Sequence, residues 1–326
     1  MMTLPDTHIL KQRAAQTQSQ HGPQAKRLIL LHTGAVLALN ILVLLLTWLL
    51  DWRIESTGGL GDMQIRAALT TAQLTLQFAS VFLLPFWQIG WIYVILKFSR
   101  GQSARPADLL MGFRRLGPVL RLTLLKSLIF TGLMVAGIYA GYFMILATPV
   151  SAPLTDAMLS TADPEVMYSA LMEAIQQIEK PLLLVCGGCC LVICIPFFYR
   201  FRLAEYFLLD HAELGARTAL RASRRMMRGN TWRMVKLDLS FWWFWLLSAL
   251  AMAVSYGNEL LPMAGISLPV SGAAASILAF ALFIPCQLLL YRSCKVYVDA
   301  TYAAAYEALS SPAQPDTSVS FPSIQE

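Results

Sequence analysis

The sequence predicts an all-α fold: a polytopic membrane helical bundle of six transmembrane helices arranged as three hairpins, with interfacial helices on the cytoplasmic face. Three observations carry that expectation. The 326-residue chain is 57% hydrophobic and only 13% charged, with a mean hydropathy of +0.57, where soluble chains average about 25% charged. Six apolar runs, at 28–50, 72–97, 123–147, 182–199, 239–256 and 271–291, come close to or exceed the roughly 20 residues needed to cross about 30 Å of hydrocarbon. Basic residues crowd onto alternate connections between those runs, as they do on the cytoplasmic side of membrane proteins.

The first run follows a polar segment, 1–27, and ends in Trp48-Leu-Leu-Asp51 with no small-residue cleavage site. Its length also exceeds a signal-peptide core, so it is expected to remain as a span. With the N-terminus inside, Lys11, Arg13, Lys26 and Arg27 are cytoplasmic. The second connection then holds seven basic residues between Lys97 and Lys126, the fourth holds nine between Arg200 and Lys236, and Arg292 and Lys295 follow the last run. Of the 25 basic residues only Arg53, Arg66 and Lys180 fall outside, where Asp51, Glu55, Asp62, Asp156, Asp163, Glu165, Glu173, Glu179 and Glu259 lie. Both termini are therefore expected in the cytoplasm. The organisation read from this is a cytoplasmic N-terminal segment (1–27), a membrane domain (28–308) and a Ser- and Pro-rich disordered tail (309–326). A net charge of +6 and a pI near 9.1 reflect topology and contact with anionic lipid headgroups, with no reason to invoke nucleic acid.

The approaches to the odd-numbered runs resemble one another: Gly22-Pro with Lys26, Gly117-Pro with Arg121, and Gly229-Asn with Arg233, each leading into an apolar stretch. Each reads as a helix C-cap, a turn and a basic anchor. The even-numbered runs each contain a proline, Pro85, Pro196 and Pro285, where the missing N–H kinks a helix and frees a carbonyl. Three hairpins of one orientation follow from the pattern, related by an axis along the membrane normal.

Among candidate functional residues, Arg217, Arg221, Arg224, Arg225 and Arg228 fall on one face of a helix. Such a stripe suits phosphate headgroups or an acidic partner, and equally serves only to fix topology on bulk lipid. Lys126 and Asp238 occupy matching places, nine residues after Gly117 and Gly229, as a possible intramembrane pair; snorkelling of Lys126 and hydration of Asp238 are the alternatives. Gly137 and Gly141 make a small-residue pair for close helix contact, within the chain or between copies. Asn40, Gln77, Gln88 and Gln287 are the polar groups at depth, and the spans show no carboxylate relay of the kind a proton-driven pump requires.

Cys186, Cys189, Cys190 and Cys194 share the fourth run. No His or carboxylate accompanies them, so no metal is assigned, and with Gly187 and Gly188 they read as small packing residues. Glu205, Asp210, His211 and Glu213 do not fall on one ligand-bearing face. Gly58-Gly-Leu-Gly61 lacks the strand and helix of a nucleotide loop, and no serine nucleophile motif is present. No catalytic residue and no cofactor is expected. On the outer side, Asp163-Pro164-Glu165 opens a helix expected to reach about Glu179, with an apolar stripe of Met167, Leu171, Ala174, Ile175 and Ile178.

The stretch Ala219-Leu-Arg-Ala-Ser-Arg-Arg-Met-Met-Arg-Gly229-Asn230, followed by Lys236-Leu-Asp-Leu-Ser240-Phe241-Trp242, Gly257, Pro262 and Tyr302-Ala-Ala-Ala-Tyr306, resembles the bacterial integral membrane family known as domain of unknown function 975. The resemblance is specific over about 205–308. It departs at Leu261-Pro262-Met263, where the family carries a Pro-Tyr pair. What it implies is a polytopic plasma-membrane protein, and it brings no established activity. The leading expectation is a non-enzymatic accessory or interaction protein that contacts anionic lipid or a protein partner through the Arg217–Arg228 face, with a homo-oligomer as a further possible association. The alternative is a channel or carrier for a small or amphipathic solute, lined by the three prolines and the deep glutamines.

Overall fold

The computed structural model describes residues 3–56, 63–159, 164–255 and 282–310, and these are helical with no strand among them. In chain order come α1 (Thr7–Ser56), α2 (Met63–Ser99), a 3-10 turn (Pro106–Leu110), α3 (Met111–Arg114), α4 (Leu116–Leu146), α5 (Ala152–Leu159) and α6 (Pro164–Phe201). Then follow α7 (Ala204–Asp210), α8 (Gly215–Met227), α9 (Thr231–Leu239), α10 (Trp242–Ser255), α11 (282–290), a π-helical turn (Tyr291–Lys295) and α12 (Val296–Ser310).

Three stretches, Thr7–Leu50, Leu116–Leu146 and Ile178–Asp210, are long and apolar enough to cross a membrane. At most 22% of their most apolar windows is buried, so most of the apolar side chains in those windows are exposed, a surface compatible with a lipid environment. α9 and α10 pass the same test only as a pair, bent by 64°. The described residues thus hold three or four candidate spans, by length and composition, where the sequence predicts six. Of the remainder, most of the sixth run (271–281), Gly257 and Pro262 lie outside the described residues, as do Asp163 and the tail from 311.

Paired contacts give the helix directions. His21 stacks on Phe98 at 5.1 Å and Trp87 Nε1 donates to the His32 carbonyl, so α2 returns antiparallel along α1. Gly137 meets Cys190 and Gly141 meets Cys186, so α6 returns antiparallel along α4. α12 runs parallel to the end of α2, because Trp91 contacts Asp299 and Ser99 contacts Glu307.

The core sits at one end of this bundle. It is made by Leu10, Leu28 and Ile29 of α1, Ile89 to Phe98 of α2, and apolar residues of α7, α8, α9 and α12. Residues before 28 are part of it. α1 is continuous through Pro23, and Leu4, Leu10 and Ala14 are fully buried.

Several expectations are corrected. Gly22 lies inside α1 and Gly117 inside α4, and of the three repeat glycines only Gly229, at φ +83°, makes the expected left-handed turn. A basic residue and a proline are compatible with a continuing helix, so the motif does not by itself stop one. The predicted outer helix does not end near Glu179. α6 runs unbroken from Pro164 to Phe201 through Pro181, with Ala174 and Ile178 of its apolar stripe buried.

Candidate functional site

α8 joins a fully solvated face to a fully buried one. Ala216, Ala219, Leu220, Ser223 and Met227 are buried against the core, whereas Arg217, Arg221, Arg224 and Arg225 are exposed, as is Arg228 at the C-cap. Three- and four-residue steps put the two sets on opposite sides of the helix. None of the five guanidinium groups makes an ion pair or side-chain hydrogen bond with a described residue.

The buried face is fastened by polar contacts. Ser223 Oγ donates to the Arg200 carbonyl at 2.8 Å and accepts from the Leu203 N–H at 3.2 Å, which satisfies backbone groups freed where α6 gives way to α7. At the other end Gly229 supplies the positive φ, and Asn230 Oδ1 accepts the Leu4 N–H at 2.8 Å while its Nδ2 donates to the Met226 carbonyl. Arg233 also donates to the Leu4 carbonyl. The N-terminal residues therefore hold the α8–α9 turn in place.

Behind α8 lies a set of ionic ties that the sequence reading missed. Lys126 Nζ is 2.6 Å from Glu205 Oε1. Asp238 is paired with Arg202 and accepts from Tyr199 Oη at 2.7 Å and Tyr302 Oη at 2.5 Å. The Arg202 guanidinium also lies 4.1 Å from the centroid of the Tyr302 ring, a cation–π contact. Asp299 takes Lys295 at 3.1 Å and Trp91 Nε1 at 2.6 Å. Arg100 holds Asp210 bidentately at 2.7 and 2.9 Å and reaches Glu307 at 3.2 Å, and Tyr306 donates to the same Asp210 carboxylate.

Lys126 and Asp238 are thus not brought together. Each has a nearer partner of opposite charge, which is how partly buried charges are tolerated. Nor do Glu205, Asp210, His211 and Glu213 converge: the first two are committed to Lys126 and Arg100, and His211 stacks on Phe207 at 4.8 Å. Only Lys295–Asp299, an i,i+4 pair, carries a spacing that the sequence could have announced; the other partners are 36 to 208 residues apart.

Burial opposes Arg100's charge, but the hydrogen bond to Asp210 outweighs it and raises its pKa further above the usual guanidinium value. At Asp108, in the connection after α2, burial pushes the carboxyl upward. The Arg105 backbone N–H at 2.7 Å and the Lys97 ammonium at 2.9 Å nevertheless hold it below the ordinary carboxylate range.

Gly137 and Gly141 are used within the chain. A Cβ at Gly137 would come within 2.8 Å of Cys190 Cα, and one at Gly141 within 2.6 Å of Cys186 Cα. Cys186 and Cys190 are free thiols seated on α4 carbonyls, of Ile138 and Met134. Gly187 and Gly188, which the sequence associated with this packing, have open space beside them instead. A closer approach escaped notice: a Cβ at Gly90 would meet the Leu109 carbonyl oxygen at 1.7 Å, and one at Gly112 the Phe86 carbonyl oxygen at 2.0 Å. Pro85, Pro196 and Pro285 lie in three different helices, the last two exposed. Gln88 is exposed and Gln287 half-buried, while the Gln77 side chain lies outside the described residues.

A family model described as protein of unknown function (DUF975) matches residues 24–313. The chain belongs to the DUF975 family. The match covers nearly the whole chain, well beyond the 205–308 stretch that carries the sequence resemblance. It takes in the DUF975 elements that matter here, α8 and every one of the ionic ties. No curated protein and no solved structure matches the chain.

Proposed function

We propose that this DUF975 protein is a six-span plasma-membrane protein with cytoplasmic termini, and that it works without catalysis or cofactor. In this reading it is an accessory protein whose α8 arginines engage anionic lipid headgroups, or an acidic protein partner, at the membrane surface. One observation carries it: five exposed arginines, unpaired among the described residues, stand on a helix whose opposite face is buried and pinned. Behind this face Lys126, Arg202, Lys295 and Arg100 are matched to carboxylates, whereas all five α8 cations are left for an outside partner. Each such residue near an anionic surface contributes about 1 kcal/mol of attraction. Among the described residues Pro85, Pro196 and Pro285 stand in three different helices, with Pro196, Pro285 and Gln88 exposed, which lends the transport alternative no support.

The test is native mass spectrometry of the protein released gently from its membrane. Wild type should carry anionic lipid or a stoichiometric protein, and a variant with all five arginines changed to Gln should lose it. Unchanged retention, orientation and yield in that variant would remove the α8 reading.

A further inference from the structure

A cleft of about 500 Å³ separates α1 from the π-helical turn, with Gln18, Pro23, Lys26, Arg27, Leu30 and Arg292 in its lining. No carboxylate lines it. All three cations are exposed, and none has an ion pair or side-chain hydrogen bond among the described residues. Lys26 and Arg27 come from one end of the chain and Arg292 from the other, so the fold assembles this charge.

The π turn contributes to that geometry. Its i→i+5 bonding places more residues in each turn than an α-helix has, which separates Arg292 from Lys295 around the axis more than α geometry would. Lys295 accordingly reaches Asp299 at 3.1 Å, while Arg292 stays in the cleft.

The surroundings identify the kind of anion. Lys26 and Arg27 immediately precede the apolar run of α1, so the cleft sits where polar sequence gives way to hydrocarbon-facing sequence. Leu30, Leu37, Ile41 and Leu45 continue from it along one helical face, with Ile41 42% and Leu45 58% exposed. A phosphate above such an apolar track has the form of a phospholipid: headgroup in the cationic pocket, acyl chain beside the helix.

We infer that the α1–π-turn cleft is a discrete site for one anionic phospholipid, its phosphate held by Lys26, Arg27 and Arg292. This rests on the proposed membrane setting but not on the α8 arginines, which lie on another helix.

Full-length protein in detergent would be titrated with phosphatidylglycerol or phosphatidylcholine and read by native mass spectrometry. Wild type should retain one phosphatidylglycerol in preference to phosphatidylcholine. The Lys26→Gln, Arg27→Gln, Arg292→Gln variant should bind it on the order of 100-fold more weakly, and the five-arginine α8 variant should keep it. Full retention by the cleft variant overturns the site, even if the α8 variant loses lipid and so supports the proposed function. Displacement of the lipid by an excess of inorganic phosphate would make this a free-phosphate site and overturn the lipid assignment. A second readout needs no variant: amine acetylation of Lys26 in wild type should slow when phosphatidylglycerol is added, and an unchanged rate overturns the proposal.

Discussion

Trp91 Nε1 lies 2.6 Å from Asp299 Oδ2, and eight residues further along both helices Ser99 Oγ lies 2.8 Å from Glu307 Oε1. The equal spacing locks α12 parallel to the end of α2 in one register. Trp91 belongs to the second apolar run and Ser99 lies just past its end, while both partners lie beyond the last run, and Arg100, Asp210 and Tyr306 draw in α7. The C-terminal helix is therefore a structural member of the core, with Ala303, Ala305 and Tyr306 fully buried.

Trp91→Phe preserves an aromatic ring at a site only 2% exposed but removes the donor to Asp299. A hydrogen bond to a charged acceptor is worth about 1.5–3 kcal/mol, so the variant should be less stable by about that free energy and melt at a lower temperature in the same detergent. An unchanged melting temperature would show that the register does not depend on this bond.

Gly141→Ala should destabilise the α4–α6 pair, because the new methyl would lie 2.6 Å from Cys186 Cα and backbone cannot move aside as a side chain can. Overpacking of this kind costs about 1–3 kcal/mol. Gly187→Ala, with nothing within 4 Å, is the control and should be neutral or slightly stabilising. Equal melting of the two variants would contradict the packing described.

The apolar windows of α1, α4 and α6 were legible in the sequence because a long uncharged run has few other outcomes in water. So was the α8 stripe, since the exposed arginines and the buried Ala219, Leu220 and Ser223 follow helical periodicity. Gly137 and Gly141 were legible as a pair, but their partners were not: contact with Cys186 and Cys190 depends on which helix lies alongside. The ties of Lys126 and Asp238 were misread for the same reason. Arg202 lies in the turn after α6 and Glu205 in the first turn of α7, close enough in space to claim each charge first. Residues 4–27 looked like a polar tail because their apolar groups are few, yet Leu4, Leu10, Ala14 and Ala25 are buried while Ile9 stays exposed.

Asp108 should give the fold an acid limb. Its carboxyl is held below the ordinary value of 3.8 by the Arg105 N–H and Lys97, so the ionised form is favoured in the folded state. A depressed carboxylate stabilises at pH above its unfolded value and loses that contribution as pH falls through 3.8 and then through the folded value. Asp108→Asn should be less stable than wild type at pH 7, with the difference shrinking toward pH 3. Melting curves across that range check the sign, and a difference that grows on acidification would refute it.

Lys126 and Glu205 offer the sharpest discrimination between sequence-based and structural pairings. Each side chain is about one-fifth exposed, at 23% and 21%, so removing one partner leaves the other largely desolvated. Lys126→Met should cost toward the lower end of about 3–5 kcal/mol, while the Lys126→Met, Glu205→Met double variant should recover most of it, since two apolar side chains need no partner. A parallel cycle with Asp238→Asn should show much weaker coupling to Lys126, because Asp238 is satisfied by Arg202, Tyr199 and Tyr302. Coupling energies from thermal or denaturant unfolding decide between them. A larger Lys126–Asp238 term would restore the pair suggested by their matching positions after Gly117 and Gly229.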